Sequence, residues 1–504
     1  MQDNSIIIIG AGFAGLSAGI YAQMNGYQTR IYEMHTLPGG LCTAWKRKGY
    51  TIDGCVHWLV GSSPKSPFNR YWREVGVAQG RQFVDADEYM RYEGRDGRTV
   101  IFYCDVDRLE KHLIELAPQD SAAIRAFTRG IRLGITLFDQ PLESDPPLVK
   151  LGKGLRQAAT FLLRGRELQR TLTTTTEQFV ARFKDPLLRA AFRELWPPEF
   201  SLFFLLGTFA YLHQRNAGYP IGGSLPLSQA LEARYKALGG QVFYGQRVEQ
   251  ILVENDRAVG VRLADGSQQR AGRVISAADG HATIFDLLGG QYADEKTREP
   301  YEKWPVFPPL VYVGVGVNRS FADLPHTVSG YSIPLRHPQE IGGKRVEQLN
   351  VQIFNHDPTL APPGKTSLTV MLYSDYAYWK ELARDPAAYQ EKKDQVARQV
   401  VAALDERFPG LGKQVEMVDV STPLTFERYT GNWQGSFEGF LITPQNADTV
   451  MKPMPQRLPG LQNFYMCGQW VEPGGGLPTG VMSGRRLVQL LCREDGHKFA
   501  ARTD

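Results

Sequence analysis

The chain has 504 residues, 42% hydrophobic and 22% charged, and its 57 basic against 53 acidic side chains leave a formal charge of +4. Such a length accommodates two or three domains and a large core, while so mild a charge argues against a nucleic-acid partner. No apolar run approaches the ~20 residues of a membrane span, and the opening "MQDNSIIIIGAG" lacks the form of a signal peptide.

Five cysteines occur, Cys42, Cys55, Cys104, Cys467 and Cys492, with no C-x-x-C pair. A disulfide framework is therefore not expected, and a cytoplasmic location is. The histidines show no ligand spacing, so no metal site is expected.

In chain order, Asn4 to Glu33 reads as strand, turn, helix, turn, strand. Ile6 to Ile9 is a continuous apolar run, as a strand buried on both faces requires. Gly10, Gly12 and Gly15 follow at once as G-x-G-x-x-G. In this arrangement Gly10 makes the tight turn, Gly12 admits a pyrophosphate to the backbone, and Gly15 lets helix pack on strand. The free N–H groups of the helix start, around Phe13 and Ala14, favour phosphate. Glu33, at the end of the second strand, is placed to accept hydrogen bonds from an adenosine ribose, and an acid there disfavours a 2′-phosphate.

Further along, Met90 to Tyr103 reads as a hairpin, and residues 70 to 214 as helix-rich. "TLTTTTE" (Thr171 to Glu177) reads as a polar helix-entry loop. Lys150 to Arg170 mixes leucines with basic residues. It is either an interfacial helix on a membrane or a solvated helix whose apolar face joins the core. Phe200 to Leu212 is expected to be a core helix, with lining a tunnel or lying on a membrane as the alternative. Ser224 to Leu238 is helical, capped by Gly239-Gly240. A strand starts in Gln241 to Asn255, and Asp265-Gly266 turns a hairpin that returns to a buried strand. Leu310 to Val317, Leu349 to Asn355 and Ser367 to Ser374 are strand-like, with Pro146-Pro147, Pro308-Pro309 and Pro362-Pro363 marking loops. Asn463 to Cys467 reads as a last parallel strand, followed by a loop of three glycines, Gly474 to Gly476. A helix then opens at Pro478 to Gly480. No second G-x-G-x-x-G appears, so no separate NAD(P) domain is expected.

Several of these motifs resemble one family. Gly19 and Gly26 extend the first fingerprint to its FAD form. Gly39-Gly40, Asp53-Gly54 and His57 resemble the second signature of phytoene desaturase and amine oxidase-like flavoproteins. "CGQWVEPGGGLPTGVMSG" resembles the C-terminal motif of carotenoid desaturases, carotenoid isomerases and retinol saturases. The resemblance implies an α/β fold. A Rossmann-like, glutathione-reductase-like FAD-binding domain (1-69, 215-289 and 441-504) is joined to a discontinuous α+β substrate domain on an antiparallel sheet (70-214 and 290-440). FAD would be held by Gly10, Gly12, Phe13, Ala14, Gly15, Glu33, Gly39, Gly40, Leu41, Arg247, Val248, Asp279, Gly468, Gln469, Thr479, Gly480 and Val481. The flat flavin ring would rest on the Gly474 to Gly476 backbone, with the following helix start stabilising negative charge on its pyrimidine side. The implied activity is oxidation, isomerisation or saturation of C–C and C=C bonds in a long isoprenoid polyene, with hydride transfer at flavin N5. The implied partner is a hydrophobic or lipid substrate, with peripheral membrane contact. His57, Trp470 and Glu472 are the candidate catalytic residues. Two other readings compete: an amine-oxidase-like oxidation of a C–N bond, and a non-catalytic prenyl-lipid carrier of the GDP-dissociation-inhibitor type.

Overall fold

The computed structural model describes residues 3–139, 145 and 147–503. Strand β1 (Ser5–Ile9) lies at the centre of a five-stranded parallel sheet with β2 (Gln28–Tyr32), β3 (Gln241–Phe243), β4 (Arg273–Ser276) and β5 (Phe464–Met466), in spatial order β3-β2-β1-β4-β5. Ile6, Ile7 and Ile8 are fully buried, as a central parallel strand covered on both faces demands. Helix α1 (Phe13–Met24) follows β1. Residues from the start, middle and end of the chain thus build one sheet.

The expected strand in Gln241 to Asn255 is divided between two sheets. β3 joins the parallel sheet, while Val248–Glu254 opens a three-stranded antiparallel meander with Arg257–Leu263 and Gln268–Arg270. Gly245 causes the break, at a φ of +66°, where the chain turns back so that Gly245 N and Gln246 N donate to His35 O and Glu33 O. The Asp265-Gly266 turn forms as expected, with Asp265 Oδ1 accepting from Ser267 N at 2.9 Å.

A second sheet has seven strands, in the order Val415–Ser421, Leu310–Val317, Thr366–Tyr373, Lys344–Ile353, Tyr331–Ile341, Glu88–Glu93 and Thr99–Tyr103. It is mixed rather than wholly antiparallel, because Tyr331–Ile341 runs parallel to Glu88–Glu93. The long helix Pro386–Arg407 buries Val396, Val400 and Leu404 beneath it. Tyr301, Trp304, Trp433 and Phe440 pack into the same core as Ile7, Val274 and Met466 of the parallel sheet. Boundaries at 290 and 440 therefore cut through one core, which also receives the segments around 301 and 433.

Helix α2 (Pro147–Thr173) departs most from expectation. Of its side chains only Leu172 is buried. Leu148, Leu151, Leu155 and Leu162 recur at helical spacing and stand 59–86% exposed. The polar side faces the protein: Gln157 Nε2 donates to Leu137 O at 2.9 Å, and Lys153 pairs with Asp139 and Asp145. The reading in which this helix's apolar face joins the core is thereby overturned. Thr171 to Thr173 end this helix instead of forming a loop, and Thr175 caps the next one (Thr176–Val180) through a capping box with Gln178. Pro147 starts α2, and Pro146 lies outside the described residues. Helix α3 (Leu202–His213) is a core helix, with Leu205, Leu206, Phe209 and Ala210 buried. Helix α4 (Ser224–Ala237) packs against α1, where Gly19 leaves room for Tyr235. The last helix, α5 (Leu477–Glu494), also lies on α1.

Candidate active site

The turn between β1 and α1 has the geometry of a phosphate cradle. Gly10 takes a φ of +95°, and a Cβ on Gly15 would stand 2.0 Å from Gly10 O, so helix and strand touch only because Gly15 has no side chain. A Cβ on Gly12 would meet no protein atom nearer than Gly39 O at 3.9 Å. The backbone there is open to a ligand. No side chain caps the start of α1, so its first N–H groups remain for an anion. Glu33 closes β2 with its carboxylate accepting from Ala11 N at 2.6 Å and His35 N at 2.8 Å. The acid is thereby fixed beside the glycine turn. Gly39 and Gly40 lie against this turn, with Gly39 N donating to Ala11 O and Leu41 following. Arg247 and Val248 directly follow Gln246, which is hydrogen-bonded to Glu33 O, so they stand by the same acid.

The C-terminal motif completes the cradle. Gly468, after β5, lies where a Cβ would be 3.3 Å from the Ala14 side chain, and its N–H donates to Ser483 Oγ. Gly480 faces Phe13 and Ala14, and Val481 is fully buried beside it. The start of α5, which no side chain caps, is therefore brought next to the start of α1. Thr479 Oγ1 donates to Gly476 O at 2.7 Å and tightens this turn. Gln469, beside Gly468, packs against Gly439. These surfaces fit a dinucleotide: two uncapped helix starts, an open glycine backbone and an acid held in place beside it.

The glycine triplet has a further cause that the sequence reading missed. Gly474, Gly475 and Gly476 adopt φ of +112°, +73° and +84°, a region that side chains enter only at a cost. Moreover, a Cβ on Gly475 would stand 2.6 Å from Oε2 of Glu438. Close approach by this carboxyl, together with the left-handed backbone, makes glycine necessary here.

Around Glu438 lies an internal chamber. Tyr373 keeps 49% of its surface open, yet surrounding protein pushes its phenol well above the usual range. A side chain enclosed by protein but not covered by it lines a cavity. Cys55, His57, Glu194 and Glu438 share this character, being neither fully covered nor near solvent. Trp58 and Trp196 meet edge to face at 6.4 Å, and Trp196, Phe200 and Phe204 continue in stacked succession. Phe204 also touches Gly474. An aromatic wall thus runs up to the glycine loop.

Burial lowers the His57 imidazole to about 4, so it is neutral at neutral pH. Its imidazole has no hydrogen bond among the described residues. Beyond it, His326 and His356 stack at 3.6 Å, and burial together with His326 and His57 drops His356 to about 2. Trp470 is packed against Phe440 at 5.0 Å and Tyr301 at 6.1 Å, within the core of the parallel sheet. Trp470, a candidate catalytic residue, is thus a buried core residue. Glu472 is nearly covered and pairs with Arg486 at 3.2 Å, while burial raises it to about 7. Asp279, expected on the cofactor, ties protein segments together through its carboxylate, which accepts from Ala282 N and Trp433 N, and burial raises it to about 7. Sequence reasoning overlooked Glu438 and Tyr373. The one local signal for Glu438 is an acid set between aromatics in "SFEGF".

A parallel sheet built from both chain ends, with two helix starts converging on one cradle, defines a dinucleotide-binding flavoprotein architecture. A profile of flavin containing amine oxidoreductases matches residues 13–492. The chain belongs to this family and is an FAD-dependent oxidoreductase. The carrier reading is set aside on this ground. Among curated proteins it is similar to a phytoene desaturase (lycopene-forming) of Paracoccus sp. (strain N81106 / MBIC 01143), at 25% identity over 97% of both chains. It is also similar to the chloroplastic prolycopene isomerase of Arabidopsis thaliana, at 24% identity over 98% of this chain and 82% of that one. Among solved structures, an oxidoreductase from Methanosarcina mazei superposes with a TM-score of 0.61 at 16% identity, covering 96% of this chain and 100% of the other. A putrescine oxidase bound to putrescine gives 0.62 at 13% identity, covering 98% and 99%.

Proposed function

We propose that this enzyme acts on C–C or C=C bonds of a long hydrophobic polyene, as a desaturase, isomerase or saturase. The observation that carries this reading is the aromatic chamber ending on the glycine loop, in a chain similar end to end to a phytoene desaturase. Bound FAD supplies a two-electron acceptor able to take hydride from a C–H bond. The chain's own residues do the rest. Gly10 to Gly15 and the start of α1 hold the phosphates, and Glu33 orients the ribose. The uncapped start of α5 favours negative charge on the adjoining ring. The aromatic wall excludes water and aligns the polyene.

Helix α2 is the proposed route of entry. Seven of the eleven large apolar side chains exposed among the described residues lie on it, with six basic residues and one acid in its sequence. An outward leucine stripe with flanking cations matches an anionic bilayer surface, which holds such substrates. The proposed home is the cytoplasmic face of a membrane. No helix among the described residues is long and apolar enough to cross one.

Anaerobic mixing of the FAD-loaded protein with prolycopene, phytoene and putrescine tests the reaction class. The expected result is a polyene changed in bond order or double-bond geometry. Flavin bleached by putrescine, with both polyenes returned unchanged, would sink the proposal in favour of C–N oxidation.

A further inference from the structure

Glu438 stands at the junction of the glycine loop and the chamber. Its Oε2 reaches to 2.6 Å from where a Gly475 side chain would begin, and it has no hydrogen bond or ion pair among the described residues. The turn that presents it is fixed, since Ser436 Oγ accepts from Gly439 N and the backbone of Gly439 packs on Gln469. Strand Thr366–Tyr373 brings Tyr373 to face it, with Glu194 beyond. The loop after Tyr50–Asp53 brings Cys55, backed by Cys42. Glu472, nearer to α5, is occupied with Arg486. A carboxyl left without a partner in such surroundings rests in its neutral form, and burial raises it to about 8.

We infer that Glu438 is the proton-transfer residue of the chamber, a neutral carboxylic acid that gives a proton to the conjugated substrate and takes one back. This inference rests on the FAD and polyene reading above. In the step, the Glu438 O–H bond breaks and a C–H bond forms at one end of a double bond, using its π pair. The positive charge left behind spreads over the remaining conjugated chain, and the former double bond turns. The carboxylate then removes a proton from the same carbon, restoring the double bond in its new geometry. No electrons are gained or lost, so no oxidant is consumed. Burial lowers His57 to about 4, which leaves its imidazole a weak base, and burial raises Glu194, whose carboxyl accepts from Asn350 Nδ2.

The test uses the FAD-loaded protein and its Glu438→Gln variant. The visible flavin spectrum, followed from pH 6 to 10, should show an inflection near pH 8 in the natural protein, because an ionising carboxyl puts negative charge beside the ring. That inflection should vanish in Glu438→Gln with FAD stoichiometry retained. With prolycopene in deuterated water, the natural protein should return polyene carrying deuterium, and the variant should do so about 100-fold more slowly or worse, the usual scale of general acid catalysis. Glu438→Asp should restore part of both signals. An inflection that survives in Glu438→Gln, or recovered polyene free of deuterium after isomerisation by the natural protein, would overturn the assignment while leaving the flavoenzyme reading intact. A protein that takes up no FAD would overturn both.

Discussion

At Gly475 the added methyl of an alanine would meet the Glu438 carboxyl and force a φ of +73° on a side-chain-bearing residue. The backbone term alone costs about 1–2 kcal/mol, so Gly475→Ala should lower stability in urea by at least that amount and disturb the flavin spectrum. An unchanged midpoint and spectrum would show that Glu438 moves aside freely. Glu33 is fixed by two backbone N–H groups. Glu33→Ala should weaken FAD binding severalfold or more, because both the ribose acceptor and the tie to Ala11 are lost; FAD titration by fluorescence quenching measures it. The position of Glu33 was readable from sequence because it follows directly from the end of β2. Glu438 was not, because its meaning comes from a contact with Gly475, 37 positions further along the chain.

Three helices decide the arrangement, α1 and α5 by closeness and α2 by exposure. Helices α1 and α5 touch backbone to backbone, and a Cβ on Gly484 would stand 2.7 Å from Ala18 N. Gly484→Leu should therefore separate the two helix starts, at a cost of about 1–3 kcal/mol or more from overpacking. Thermal unfolding would read the loss of stability, and FAD retention the opening of the cradle. Helix α2 offers the opposite test. Leu155→Glu with Leu162→Glu should leave thermal unfolding unchanged, since both side chains are exposed, yet abolish flotation with vesicles containing anionic lipid. Flotation that persists would move the contact elsewhere. The strand and turn before α1 were legible because their requirements are local: an apolar run, then three spaced glycines. The orientation of α2 was not, because a mixed leucine–lysine helix permits either face to point inward. Only Gln157 and Lys153, bonded to the preceding segment, reveal which one does.

Over the whole molecule, buried titratable groups set a pH window. Burial raises the folded-state pKa of Asp279 and Glu472 to about 7 and of Glu438 to about 8. Such acids keep protons that the unfolded chain releases near pH 4, so their contribution to stability falls as pH rises through this range. His57 and His356 act oppositely, since burial lowers them and the folded form gains stability as pH climbs to about 6.5. Above 6.5 only the acids remain, and the unfolding temperature should decline from pH 6.5 to 8.5. In Glu438→Gln the upper part of that decline should flatten; an identical profile would contradict the buried, unpaired state of Glu438. The two-sheet architecture was foreseeable from the motifs at the ends and middle of the chain. The shared core around Tyr301, Trp433 and Phe440 was not, because these residues lie in segments that sequence alone assigns to the other domain.

A crystal structure of the FAD-loaded enzyme with a bound polyene addresses the central claim most directly. The pyrophosphate should lie over Gly10 to Gly15 and the flavin ring beside the start of α5, with the polyene between Tyr373, Glu438 and the Trp58–Trp196 wall. A ring located away from the glycine loop, or a polyene lying outside that chamber, would contradict it.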